Sequence, residues 1–156
     1  MESLTEKERA TNYETMRHIE RVRNLLNVFV AELMRRGEKH DQSKLASPEV
    51  ELFAEFTPFL AELTYGSEEY NAVKAKLGPA LEHHYANNSH HIEHFDNGIN
   101  DMNLVDIIEM FCDWKAASER HNNGNIRKSL AINGSKHHIN QQLLDIFENT
   151  IPLVGG

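Results

Sequence analysis

Between Ile19 and Leu33 the apolar residues return at helical spacing. Ile19, Val22, Leu25, Leu26, Phe29, Val30 and Leu33 all fall on one face of a helix expected over about 11–36. No segment of any length alternates apolar and polar residues as a half-buried strand would, and no internal repeat appears. The chain must therefore satisfy its backbone inside helices. The fold class predicted is all-α, a single compact bundle of about six or seven helices. The punctuation divides it further. Gly37 is the expected C-cap of the first helix. Ser47-Pro48-Glu49 reads as a helix start running to about Leu63, with Thr57-Pro58 as a kink or break. Ser67-Glu68-Glu69 opens a short helix closed by Gly78-Pro79, and another covers about 80–86. The polar stretch 87–103 reads as loop. Asn103 caps a strong helix to about His121, and Asn122-Asn123-Gly124-Asn125 is a turn. Helices over 126–132 and from Ser135 to about Asn149 follow, with residues 1–10 and 151–156 as peripheral tails of one domain.

At 156 residues the chain fits one domain and can bury roughly 70% of its unfolded surface. A net charge of -8 argues against a broad footprint on duplex nucleic acid, which calls for a basic face. A small nucleotide needs only a few local cations or a metal. The single cysteine, Cys112, excludes an internal disulfide and an intrachain thiolate zinc site, and its place in an apolar helix predicts a small buried hydrophobe. No signal-peptide pattern and no membrane-spanning apolar run are present, so a cytoplasmic location is expected. Walker A, GxGxxG, GxSxG and HExxH patterns are all missing.

Histidine carries the chemistry. The chain has 10 of them. His40-Asp41 follows the first long helix, and an imidazole beside a carboxylate suits borderline and hard divalent cations: Mn, Fe, Co, Ni, Zn or Mg. His18 falls in line with Val22, Leu25 and Phe29, in the middle of the apolar stripe, where it is either a core histidine or a ligand. On the helix after Asn103, both flanks are apolar and one narrow stripe is acidic: Asp106, Glu109 and Asp113. Such clustered carboxylates repel one another unless a cation or basic partners hold them. Asp113 is the expected ligand, and Glu109 the acceptor for the other ring nitrogen of a ligand histidine. In the cluster His83-His84-Tyr85-Ala86-Asn87-Asn88-Ser89-His90-His91, the preferred site residues are His84 and His91, for a second ion or as general acid. His83 and His90 are the alternatives. Lys44, three residues after Asp41, is a candidate phosphate clamp, and Tyr85, Asn88, His90 and Trp114 are candidates for lining a base or sugar pocket.

One His, a His-Asp doublet, further His and a distal Asp, in that order, resembles the HD-domain superfamily of metal-dependent phosphohydrolases. His18, His40-Asp41, His84/His91 and Asp113 match its ligand order. The chain also resembles a family of small phage and bacterial proteins that share three segments. Here these are His40-Asp41-Gln42-Ser43-Lys44, His84-Tyr85-Ala86-Asn87-Asn88-Ser89-His90-His91 and Glu109-Met110-Phe111-Cys112-Asp113-Trp114. The superfamily likeness implies an HD-like helical domain that hydrolyses a phosphoester, commonly of a nucleotide. His18, His40, Asp41 and Asp113 would hold a divalent metal, and Asp41, Lys44, His84 and His91 would serve catalysis. The substrate would be a deoxynucleoside phosphate or a cyclic or signalling nucleotide, and a homo-oligomer is compatible with such domains. Two rival readings stand beside it: a metal-dependent module that sequesters nucleotides without cleaving them, and a helical structural or interaction protein.

Overall fold

The computed structural model describes residues 4–63, 67–120 and 124–155. Among them stand seven α-helices, four short 3-10 turns and no strand. The helices are α1 (Glu6–Lys39), α2 (Glu49–Glu62), α3 (Glu68–Lys76), α4 (Gly78–Asn87), α5 (Leu104–Glu119), α6 (Ile126–Lys136) and α7 (Gln141–Thr150). The all-α expectation and the helix number hold. No described helix is long and apolar enough to cross a membrane.

The chain divides into two compact units, Met1–Glu38 and Lys39–Gly156. The first is essentially α1, a single helix of 34 residues with none of them buried. The stripe expected to be buried is exposed, Ile19, Leu26 and Phe29 included, and so is His18 at its centre. Gly37 does not stop α1 either. A glycine in a helix weakens it by about 1 kcal/mol but ends it only where the backbone turns left-handed. That turn comes at Asp41 (φ 56°).

In the second unit, α2 packs on α3 and α4, α5 on α6, and α6 on α7. One apolar core joins Ile92, Met102, Met110, Phe111, Ile126, Leu130, Ile139, Phe147 and Ile151. Phe111 and Phe147 stack at 5.3 Å, with Trp114 edge-on to Phe147 at 6.1 Å. Ile151, expected in a peripheral tail, is 1% exposed and belongs to this core.

Local chemistry accounts for most boundaries. Ser67 caps α3 by accepting from the Tyr70 amide. Asn103 and Asp106 form a capping box at the start of α5. Ser47 does not cap α2: the Ser47–Pro48 bond is cis and Pro48 holds the cap position. Pro58 sits inside α2 without ending it. α6 runs through Asn133-Gly134, where a break was expected, because Asn133 donates back to the Ser129 carbonyl (3.0 Å). A Cβ on Gly134 would lie 3.1 Å from both Leu144 methyls, so glycine there lets α7 approach. The loop 87–103 contains two 3-10 turns, Ile92–His94 and Gly98–Asp101. His121, Asn122 and Asn123, where the end of α5 and the following turn were expected, lie outside the described residues.

Candidate metal centre

Asp41 organises the site. As an aspartate it tolerates the left-handed backbone better than most side chains, and the reversal there turns His40 and Asp41 together onto α4 and α5. Asp41 Oδ2 accepts from Lys44 Nζ at 2.7 Å. Asp41 Oδ1 faces two imidazoles, His84 Nε2 at 3.2 Å and His90 Nε2 at 3.5 Å. His84 Nε2 lies 2.8 Å from His91 Nε2. His40 Nε2 lies 3.6 Å from Asp41 Oδ2 and 3.7 Å from Asp113 Oδ1.

The other ring nitrogens explain why these Nε2 atoms converge. His40 Nδ1 donates to Glu109 Oε1 (3.0 Å), and His90 Nδ1 is 3.2 Å from the same oxygen. His84 Nδ1 donates to Glu49 Oε2 (2.9 Å), and Ser43 Oγ is 3.2 Å away. A carboxylate on Nδ1 fixes the ring, selects the tautomer with a lone pair on Nε2 and raises its basicity. Three of the histidines are therefore oriented as metal ligands are oriented.

Two buried atoms at the centre of this arrangement have no hydrogen-bond partner: Asp41 Oδ1 and His90 Nε2. Leaving such groups unmade is costly inside a protein, and both are electron-pair donors. The residues fit a cation. Asp41, His84, His90 and His91 each place one ligand atom within 4.8 Å of the others. Two further groups of three meet the same limit: His40, His90 and Glu109, and His40, Asp41 and Asp113. Asp41 is shared by the first and last, as expected of a carboxylate serving one ion or two. A set dominated by imidazole suits Mn, Fe, Co, Ni or Zn better than Mg, which prefers oxygen ligands.

The electrostatics agree. Burial opposes ionisation of Asp41, but the neighbouring His84 ring and the Lys44 ammonium outweigh it and hold the carboxyl well below its usual range. Asp113 is partly buried, and His40 lowers it in spite of that burial. His40 is raised to about 10, first by Asp113 and then by Glu109. His91 is lowered to about 3, chiefly by burial and then by His90 and His84, so it is neutral and free to donate a lone pair.

Most of the expected site residues meet here: His40, Asp41, Lys44, His84, His90, His91, Asp113 and, as the histidine acceptor, Glu109. His18 belongs to the other unit, Met1–Glu38. Asn88, expected to bind substrate, instead donates to the His84 carbonyl (2.8 Å) and Ser43 Oγ (2.9 Å), tying α4 to the His-Asp turn. Asp106 faces neither solvent nor the site: it is 1% exposed and accepts from Ser89 Oγ (2.8 Å). Cys112, expected to be buried, is exposed. Glu49 and Ser43 were missed. Glu49, 0% exposed and bonded to both His83 and His84, looked like an ordinary acidic residue at a helix start. Nothing local marks it, because its partners lie 34 and 35 residues away.

A cavity of about 700 Å³ opens beside the centre. His90, His91 and Asp113 line it, with Tyr85 and Trp114 among the aromatic and apolar wall residues. Trp114 thus serves both the core and the cavity.

The profile of a family of unknown function, DUF5662, matches residues 7–153. The chain belongs to that family. No curated protein and no solved structure matches the chain. The DUF5662 match extends over α1 and the whole ligand set, so the His-Asp turn, the α4 histidines and the α5 carboxylates all fall within it.

Proposed function

We propose that this DUF5662 protein is a metal-dependent phosphohydrolase acting on a nucleotide. The observation that carries the reading is the convergence of carboxylate-oriented imidazoles on the unpartnered Oδ1 of Asp41. The resemblance in ligand order to HD-type phosphohydrolases, from His40-Asp41 to Asp113, supports the reaction class. His84, His90, His91 and Asp41 would hold one divalent cation, and His40, Asp41 and Asp113 a second. A cation there supplies Lewis acidity, neutralising phosphate oxygens and making water nucleophilic near neutral pH.

The protein's own residues would do the rest. Glu49 and Glu109 hold the imidazoles in one tautomer. Lys44, fixed by Asp41, offers an ammonium to a phosphoryl oxygen. His90 and His91, both on the cavity wall, would hold the cation against a phosphate bound in the cavity. The adjoining cavity has the size of a small-molecule site, roughly 300–1,000 Å³, and Tyr85 and Trp114 suit a base or sugar.

The test is phosphate or nucleoside release from mono-, di-, tri- and cyclic nucleotides with Mg, Mn, Co, Ni and Zn. Asp41→Asn runs beside the wild type, since asparagine keeps the size and tolerates the left-handed backbone. Metal-dependent turnover that falls at least about a hundredfold in the variant, with unchanged circular dichroism, is the expected result. A folded, metal-loaded wild type that turns over none of the panel overturns the reading.

A further inference from the structure

The same cavity carries charge that the candidate ligands do not explain. Lys74 of α3, Lys128 and Lys136 of α6, and His137 line it. In α6, Lys128, Ile132 and Lys136 recur every four residues on one face, with Ser129 and Asn133 beside them. Among the described residues the carboxylates lining the cavity are Asp113 and Glu93, and Lys136 Nζ already pairs with Glu93 at 2.9 Å. Lys74 makes no ion pair with any described residue. In a chain of net charge -8, lysines gathered on one cavity wall need a reason.

The strain on Lys74 points the same way. Partial burial lowers its pKa, the nearby charge of Lys136 lowers it further, and Glu93 opposes both. An anion placed between Lys74 and Lys136 would relieve this cost. Tyr85, Leu63, Trp114 and Ile132 line the same space and offer apolar and aromatic surface to the part of a ligand that joins its charged groups.

We propose that Lys74 and Lys136 form a distal anion subsite, and that the ligand is a nucleotide bearing a second phosphate remote from the one at the metal centre. This deepens the phosphohydrolase reading and rests on it for the placement of the first phosphate. Nucleoside bisphosphates and linear dinucleotides share the required chemistry: two phosphates separated by a sugar or nucleoside.

The experiment uses Trp114, the only tryptophan in the chain, as a fluorescent reporter of binding. Adenosine, 5′-AMP, adenosine 3′,5′-bisphosphate and the linear dinucleotide pApA are titrated into the full-length protein, with and without manganese. No turnover is needed for the readout, so a silent activity panel and a failed subsite remain distinguishable. One of the two doubly phosphorylated probes should bind at least about tenfold tighter than 5′-AMP, the scale of one charge-assisted contact, and which one does so identifies the source. Lys74→Gln should erase that preference while leaving 5′-AMP binding within about twofold. Lys136→Gln should erase it as well, because Glu93 then loses the ammonium beside it and repels an anion. Lys7→Gln on α1 is the control and should change nothing. Equal binding of 5′-AMP and both doubly phosphorylated probes, a preference that survives in Lys74→Gln, or no binding of any probe overturns the proposal. Thermal melting of each variant confirms that it is folded. Lys74 and Lys136 lie at the cavity edge and not in the core, so the substitutions leave the packing intact.

Discussion

At the scale of the residue, the site depends on atoms that face away from it. Glu109 Oε1 receives both His40 Nδ1 and His90 Nδ1, and Glu49 receives His84 Nδ1. Removing one such acceptor leaves the imidazole ligand in place but frees its ring and its tautomer. Glu109→Gln should therefore weaken divalent metal binding about 10- to 100-fold, the usual cost of losing this kind of partner. Isothermal titration with zinc or manganese would measure it. Because Glu109 orients two candidate ligand rings, His40 and His90, and Glu49 only one, His84, its loss should exceed that of Glu49→Gln, and the reverse order would contradict the geometry. His40-Asp41 and the order of the later histidines were legible in the sequence because ligand chemistry is local to each side chain. Glu49 was not, because its function is assigned by a partner on α4.

At the scale of the element, α5 does three things with one acidic stripe. Asp106 closes the capping box and is bonded to Ser89, Glu109 orients two histidines, and Asp113 faces His40. The periodicity placed these residues in line; the neighbours at each level gave each its task. The cap sets where the stripe begins. Asn103 accepts from the Val105 and Asp106 amides at 2.8 and 3.1 Å. Asn103→Ala should lower stability by about 1 kcal/mol, read from urea denaturation of the metal-free protein. It should leave metal affinity within about twofold, since the ligands sit two turns further on. The helix ends misread from the sequence share a cause. Gly37 and the Asn133-Gly134 pair both sit within helices. The left-handed residues that reverse the chain are Asp41 and His138, types that carry no strong stop signal.

At the scale of the whole molecule, the metal centre ties the His-Asp turn to α2, α4, the loop after it and α5. A cation that binds this folded arrangement and not the unfolded chain stabilises it, by about 2.7 kcal/mol at a hundred times its dissociation constant. Melting with metal and with chelator should differ by several degrees. The pH dependence has a definite sign. In the metal-free fold His40 is raised to about 10, so its ion pairs contribute fully below its unfolded pKa and are lost as pH rises through about 10. A cation at His40 Nε2 must displace that proton, and so binds more tightly as pH rises. Asp41 and Asp113, both lowered, contribute stability that disappears only as pH falls below the ordinary carboxylate range. The melting difference should accordingly grow from about pH 6 to about pH 9. A difference that is flat or shrinks over that window would argue against His40 as a ligand.

The sequence by itself determined the all-helical class, the strong cap at Asn103 and most of the residues that gather as candidate ligands. Helical periodicity, capping and ligand type are properties of side chains read over a few residues. The tertiary structure decided what depends on distance in space: that Glu49 orients His84, that Asn88 braces the turn, that Ile151 is core, and that lysines from α3 and α6 share a cavity with His90, His91 and Asp113. His18 marks the same limit from the other side. Its position in an apolar stripe was plain from periodicity, but periodicity assigns a residue to a face and says nothing of what that face meets.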